Sequence, residues 1–110
     1  MSESTEWKNT GLRESDLAHI RDAARAFPEI RQVILFGSRA KGTHKPGSDV
    51  DLALKGDALT YETVLGLTDM LNEEKPLPYF FDVVDYQRIS EQALVEHINR
   101  VGVVIFESVP

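Results

Sequence analysis

Cysteine is absent from all 110 residues, which excludes a disulfide framework, a thiolate metal centre and a cysteine nucleophile, and is compatible with a reducing compartment. No run of about 18 apolar residues occurs, the length a membrane helix needs. Met1 to Thr10 is polar and mixed in charge, without the basic start and apolar stretch of a signal peptide. A soluble, unanchored, cytoplasmic protein is therefore expected. Positive charge is also in deficit, with 12 Lys and Arg against 18 Asp and Glu and a net charge of −6. That balance disfavours direct nucleic-acid binding, because affinity for a phosphate backbone comes mainly from clustered Lys and Arg. Repeats, low-complexity tracts and Pro/Gly-rich linkers are missing too, so nothing divides the chain. What is present, 110 residues of which 42% are hydrophobic, is long enough for one compact core and too short for two ordinary domains. The expected organisation is a loose tail over residues 1–10 and one domain over residues 11–110.

Periodicity and chain-breaking residues outline that domain. Leu17, Ile20, Ala24 and Phe27 recur at helical spacing behind Ser15 as N-cap, with Pro28 at the end. Val33 to Phe36 is a short apolar run rich in β-branched residues and stopped by Gly37, which predicts a buried strand. Gly37 to Ser48 reads as a loop with a helical turn after Ser38. Asp49 to Leu54 alternates acid and apolar residues, so a strand there sends Asp49 and Asp51 to one face and Val50 and Leu52 to the other. Thr60 caps a helix running to about Glu74, ended by Pro76 and Pro78. Tyr79 to Tyr86 predicts a third strand. Ser90 caps a last helix carrying Leu94, Ile98 and Val101, and Gly102 closes it before the apolar run Val103 to Phe106. The pattern is α/β or α+β, a small mixed sheet flanked by helices.

Chemistry concentrates in Gly37-Ser38, then Asp49-Val50-Asp51 after ten residues, then Asp82 within the apolar strand. A glycine ending a buried strand lets the backbone turn tightly with N–H groups pointing outward, and the following hydroxyl completes a phosphate cradle. Arg39, Lys41 and Gly42 in the same loop can approach a triphosphate. Two carboxylates on one strand face suit Mg²⁺, a hard ion that commonly takes one or two protein carboxylates plus substrate phosphates. A third acid on an adjacent strand can hold a second ion or accept a nucleophile's proton, and Asp82 is assigned that place. Singly, each Asp reads better as a solvent-face residue. An aspartate amid Phe80, Phe81, Val83 and Val84, however, is costly to bury without a partner or metal. Asp85 is the rival for the third position, facing the opposite way in a regular strand.

Competing signals are weaker. The loop has neither the Gly-Lys-Ser/Thr of a P-loop nor the glycine pattern of a dinucleotide fingerprint. His19, His44 and His97 have no zinc or catalytic-triad spacing. His19 and His97 read as helix residues and His44 as at most a peripheral contact. Trp7 and Tyr61 read as packing residues, which leaves the nucleobase pocket unassigned.

The string LFGSRAKGTHKPGSDVDLAL followed by FFDVVDY resembles the DNA polymerase β-like nucleotidyltransferase superfamily, in particular its minimal members, the MNT antitoxins encoded beside HEPN-domain toxins. The resemblance runs from the first helix to Phe106. Its serine-loop and three-acid pattern matches Gly37, Ser38, Asp49, Asp51 and Asp82 with no member missing. It implies Mg²⁺-dependent attack by an acceptor hydroxyl on the α-phosphate of ATP, with Asp49, Asp51 and Asp82 as catalytic and metal residues, and with Gly37, Ser38, Arg39 and Lys41 on the nucleotide. The implied acceptor is a tyrosine of a HEPN partner in a hetero-oligomer. A chain this short leaves little surface for an acceptor-binding domain of its own, which also points to a partner. Two alternatives stay open here: a binding module that silences its partner by occlusion, and a transferase acting on an aminoglycoside-like small molecule.

Overall fold

A computed structural model describes residues 6–108. In chain order a 3₁₀ turn (Glu6–Asn9) leads to α1 (Glu14–Arg25), β1 (Gln32–Phe36), α2 (Gly37–Lys41), β2 (Val50–Lys55), α3 (Tyr61–Asp69), a π turn (Met70–Glu74), β3 (Phe81–Asp85), a second 3₁₀ turn (Tyr86–Arg88), α4 (Gln92–Val101) and β4 (Val103–Glu107). The strands form one mixed sheet in the order β3-β2-β1-β4. β1 is antiparallel to both neighbours, whereas β2 and β3 are parallel. A parallel pair needs a crossover, and α3 supplies it. The expected small mixed α/β sheet flanked by helices is what the chain adopts.

Side-chain alternation assigns the two faces of this sheet. Val33 and Leu35, then Val50, Leu52 and Leu54, then Phe81 and Val83 join the larger core, which α1 covers with Leu17, Ile20, Ala23 and Ala24 and α3 with Leu67. The opposite face carries a smaller cluster, Ile34, Phe36 and Ala53 beneath Ile98 of α4. That second face is only partly covered, and there the residues between the core positions emerge.

Several helix starts differ from expectation. α1 begins at Glu14 with Arg13 as its N-cap, and the Asp16 carboxylate accepts the Arg13 N–H at 2.9 Å. Ser15 lies inside the helix because Asp16, three residues beyond Arg13, reaches back to the cap, the reciprocal half of a capping box. Thr60 caps α3 as expected, its hydroxyl accepting the Thr63 N–H at 3.2 Å. α4 has Glu91 as N-cap rather than Ser90. Of the expected tail, residues 1–5 lie outside the described residues, while Glu6–Asn9 forms the 3₁₀ turn and Thr10 is buried. Thr10 is held by a hydrogen bond from Arg39 Nη1 to its carbonyl at 2.8 Å, so this part of the segment belongs to the folded body. Among the described residues no helix is long and apolar enough to cross a membrane.

Candidate active site

Phe36, Asp51 and Asp82 form a row across three neighbouring strands, Phe36 paired with Asp51 and Asp51 with Asp82. Because Val50 and Leu52 flank Asp51, and Phe81 and Val83 flank Asp82, strand alternation turns both acids away from the larger core. Asp51 is half-buried, and Asp49, just before β2, is exposed. Burial, then the charges of Asp82 and Asp49, push the Asp51 carboxyl above its ordinary pKa. Negative charge is thus gathered on one face at one end of the parallel pair.

Asp82 itself is exposed, which corrects the expectation of a buried acid. Of the four neighbours in sequence, Phe81 and Val83 point into the core while Phe80 is 60% exposed, so the apolar run does not enclose the carboxylate. Asp85 sits on the other side of the strand, buried. It accepts the Gln87 N–H at 3.0 Å as cap of the 3₁₀ turn and lies 3.7 Å from Arg88 Nε. Register thus leaves Asp82, not Asp85, beside Asp51.

Gly37 opens α2 at the end of β1 with φ +79°, and a Cβ there would collide with Asp51 Oδ2. Only glycine combines that backbone region with that clearance. Its N–H does not point outward as the sequence suggested, since it donates to His97 Nε2 at 3.1 Å. Ser38, half-buried, follows in the first turn, and its carbonyl accepts the Thr43 N–H at 3.0 Å.

Arg39, expected at the nucleotide, is a structural residue. It is 3% exposed, and its guanidinium donates to the Ser48 carbonyl at 3.2 and 3.0 Å and to the Thr10 carbonyl at 2.8 Å. It also stacks over Tyr79 at 4.8 Å. These partners occupy its fork, so it clasps the loop to the N-terminal segment. Lys41 is exposed, and with Arg100 it disfavours a proton on His97, after the larger effect of burial. The two cations therefore stand near the Gly37 turn, opposite in sign to the acid row.

Among the described residues, no three or more His, Cys, Asp or Glu side chains are gathered so as to hold a metal ion by themselves. The donor chemistry nevertheless fits Mg²⁺, which usually takes one or two carboxylates and completes its shell with water and substrate phosphate. Burial, then the charges of Asp82 and Asp49, disfavour the ionised Asp51 carboxylate, and a bound divalent cation would favour it.

Three contacts were not legible as site features. His97 has a signal in hindsight, since it lies between Leu94 and Ile98 on the inner stripe of α4. Asn72 clamps the start of β3, its amide accepting the Phe81 N–H at 2.8 Å and donating to the Phe81 carbonyl at 3.1 Å. Nothing in its neighbourhood in sequence signals this. Tyr79 donates to Asp16 at 2.7 Å, a pairing across 63 residues. Tyr61, expected to be a packing residue, is 70% exposed and lines a groove of about 430 Å³ with Val64, Val83, Ile89 and Leu94. His44 is half-buried in the loop, with Nδ1 unpartnered. The Trp7 side chain lies outside what is described.

The sequence profile described as Polymerase beta, Nucleotidyltransferase matches residues 18–109. No curated protein matches the chain by sequence. Among solved structures, a chain of a toxin–antitoxin complex with AMP-PNP is similar at a TM-score of 0.67 and 23% identity, over 88% of this chain and 75% of that one. A complex of the tri-AMPylated Shewanella oneidensis HEPN toxin with MNT antitoxin contains a chain similar at 0.66 and 20% identity, over 88% and 74%. A Sulfolobus solfataricus protein provisionally classed as a nucleotidyltransferase aligns at 0.55 and 20% identity, over 97% and 92%. At these identities the likeness establishes a common fold.

Proposed function

The chain belongs to the polymerase β nucleotidyltransferase family, and on that premise we propose that it transfers AMP from ATP, with Mg²⁺, to a tyrosine hydroxyl of a HEPN-domain toxin, acting as the antitoxin of the pair in the cytoplasm. The observation that carries the reading is the pairing of Asp51 with Asp82 in register beside a glycine turn that closes directly onto Asp51. Acids packed side by side on an exposed face are destabilising in themselves, and metal-assisted phosphoryl transfer gives them a use.

Asp49, Asp51 and Asp82 would hold Mg²⁺, which when bound neutralises phosphate charge and polarises the phosphorus under attack. Ser38 receives the triphosphate at the turn that Gly37 makes at the end of β1, and Lys41 offsets its charge. The acceptor oxygen bonds to the α-phosphorus, the bond from that phosphorus to the β-phosphate bridge breaks, and pyrophosphate leaves. Asp82, exposed at the sheet edge, takes the hydroxyl proton. Two solved relatives support the partner and nucleotide, one a toxin–antitoxin complex with AMP-PNP and the other a complex containing an AMPylated HEPN toxin.

Incubating the purified protein with labelled ATP, Mg²⁺ and the product of its neighbouring gene tests the reading. Label reaching the partner with wild type, and not with Asp49→Asn plus Asp51→Asn, supports it. Inhibition of the partner that survives the double substitution without any label overturns it in favour of occlusion. Label reaching a small alcohol and not the partner would reassign the acceptor.

A further inference from the structure

The His97 side chain joins α4 to the Gly37 turn. His97 Nε2 accepts the Gly37 N–H at 3.1 Å across 60 residues of sequence, and its ring meets Phe36, the residue before the turn, edge-on at 6.1 Å. Against the same glycine stands the Asp51 carboxylate, close enough that a methyl group there would require it to move. Gly37 is therefore in contact with both an acceptor from α4 and an acid from β2. A glycine left to itself has more backbone freedom than any other residue, so a turn built on one keeps its shape only when its surroundings hold it.

We propose that His97 is a positioning residue of the nucleotide site: by accepting the Gly37 N–H it fixes the first peptide of α2 against Asp51, so that Ser38 and Lys41 meet the triphosphate already ordered. The inference rests on the nucleotidyl-transfer reading above. It assigns the Gly37 N–H to the protein rather than to the phosphate, leaving phosphate contacts to Ser38 and the residues after it. Only the neutral imidazole has a ring nitrogen able to accept. Burial, with Arg100 and Lys41 nearby, keeps the ring in that form.

The competing account is that His97 is filler between α4 and Phe36, and two substitutions separate them. His97→Phe keeps an aromatic ring against Phe36 and loses the acceptor, while His97→Gln loses the ring and offers an amide oxygen at similar reach. A positioning role predicts that His97→Phe raises KM for ATP about tenfold, equivalent to about 1.4 kcal/mol, with a much smaller change in kcat. His97→Gln then stays within about twofold of wild type. Amide exchange at Gly37 should be slow in wild type and His97→Gln and fast in His97→Phe. If His97→Phe matches wild type, or outperforms His97→Gln in KM and Gly37 protection, the proposal is overturned. Should wild type transfer no nucleotide at all, the functional reading fails, and Gly37 exchange still decides whether His97 holds the turn.

Discussion

The Gly37 backbone runs so close to the Asp51 carboxylate that a methyl group at position 37 would collide with Oδ2. This contact joins the end of β1 to the middle of the acid row. It ties the loop and the acids into one unit, and a side chain at position 37 would require the Asp51 carboxylate to turn away.

Gly37→Ala is accordingly expected to be damaging twice over. The left-handed backbone at φ +79° costs a non-glycine residue about 1–2 kcal/mol, and the clash displaces Asp51. Thermal unfolding should report the lost stability and ATP titration the lost binding. A variant with unchanged melting temperature and affinity would show that the turn is free to relax.

Asp51→Asn should stabilise the protein while lowering transfer at least about a hundredfold, the upper range for groups supporting a metal site. The folded-state pKa of Asp51 is raised by burial and by Asp82 and Asp49. Its contribution to stability is therefore complete below the unfolded-state carboxylate pKa and is lost as pH rises through the raised folded value. At neutral pH the ionised group is a liability that asparagine removes. The expected readout is a higher melting temperature for the variant at pH 7, with the gap closing as the pH falls into the carboxylate range. Mg²⁺ should raise the melting temperature of wild type more than that of the variant, and chelation should reverse it.

Asp82→Asn and Asp85→Ala should separate cleanly. The first, exposed and paired with Asp51, should abolish transfer with stability unchanged within about 0.5 kcal/mol. The second loses a cap on the Gln87 N–H and should cost about 1 kcal/mol with transfer retained. Swapped outcomes in parallel melts and label-transfer assays would move the third acid to position 85.

Asp16→Ala should cost about 2 kcal/mol, since a cap is worth roughly 1 and the buried side leaves the Tyr79 hydroxyl unpaired. Burial by itself would push the Asp16 carboxyl up. Bonds from the Arg13 amide, the Tyr79 hydroxyl and the Arg13 side chain outweigh it and hold the pKa below its usual value. That stability is present above the unfolded-state pKa and is lost as pH falls through the lowered folded one. Denaturant melts from pH 6 downward should therefore converge for wild type and variant only in strong acid.

Arg39→Met should lower stability, because the guanidinium serves the Ser48 and Thr10 carbonyls and losing these charge-assisted bonds costs about 1.5–3 kcal/mol. Lys41→Ala should leave stability alone and weaken ATP binding, more so at low salt. Equal and purely electrostatic effects of both on binding would restore Arg39 to the nucleotide.

Local pattern was sufficient for the elements whose signals are local. The run Val33 to Phe36, the Thr60 cap and the alternation around Asp51 each depend on neighbours within a few residues, and each formed as expected. The N-caps Arg13 and Glu91 depart from the nearby serines that local pattern favours, and at Arg13 the back-reaching Asp16 carboxylate decides the start. Arg39 departs from its local pattern for a related reason. A basic residue after a glycine turn looks like a phosphate ligand until the carbonyls of Thr10 and Ser48 are brought to it.

By itself, the order of residues determined the α/β architecture and the presence of the Gly-Ser turn and the acid pairs, since strand alternation and chain breaking act over a few bonds. Only the folded arrangement decided that Asp82 is exposed and that the Gly37 N–H belongs to His97. Those outcomes depend on a sheet face left partly uncovered and on a helix arriving from 60 residues away, and neither leaves a mark in the local spacing of side chains.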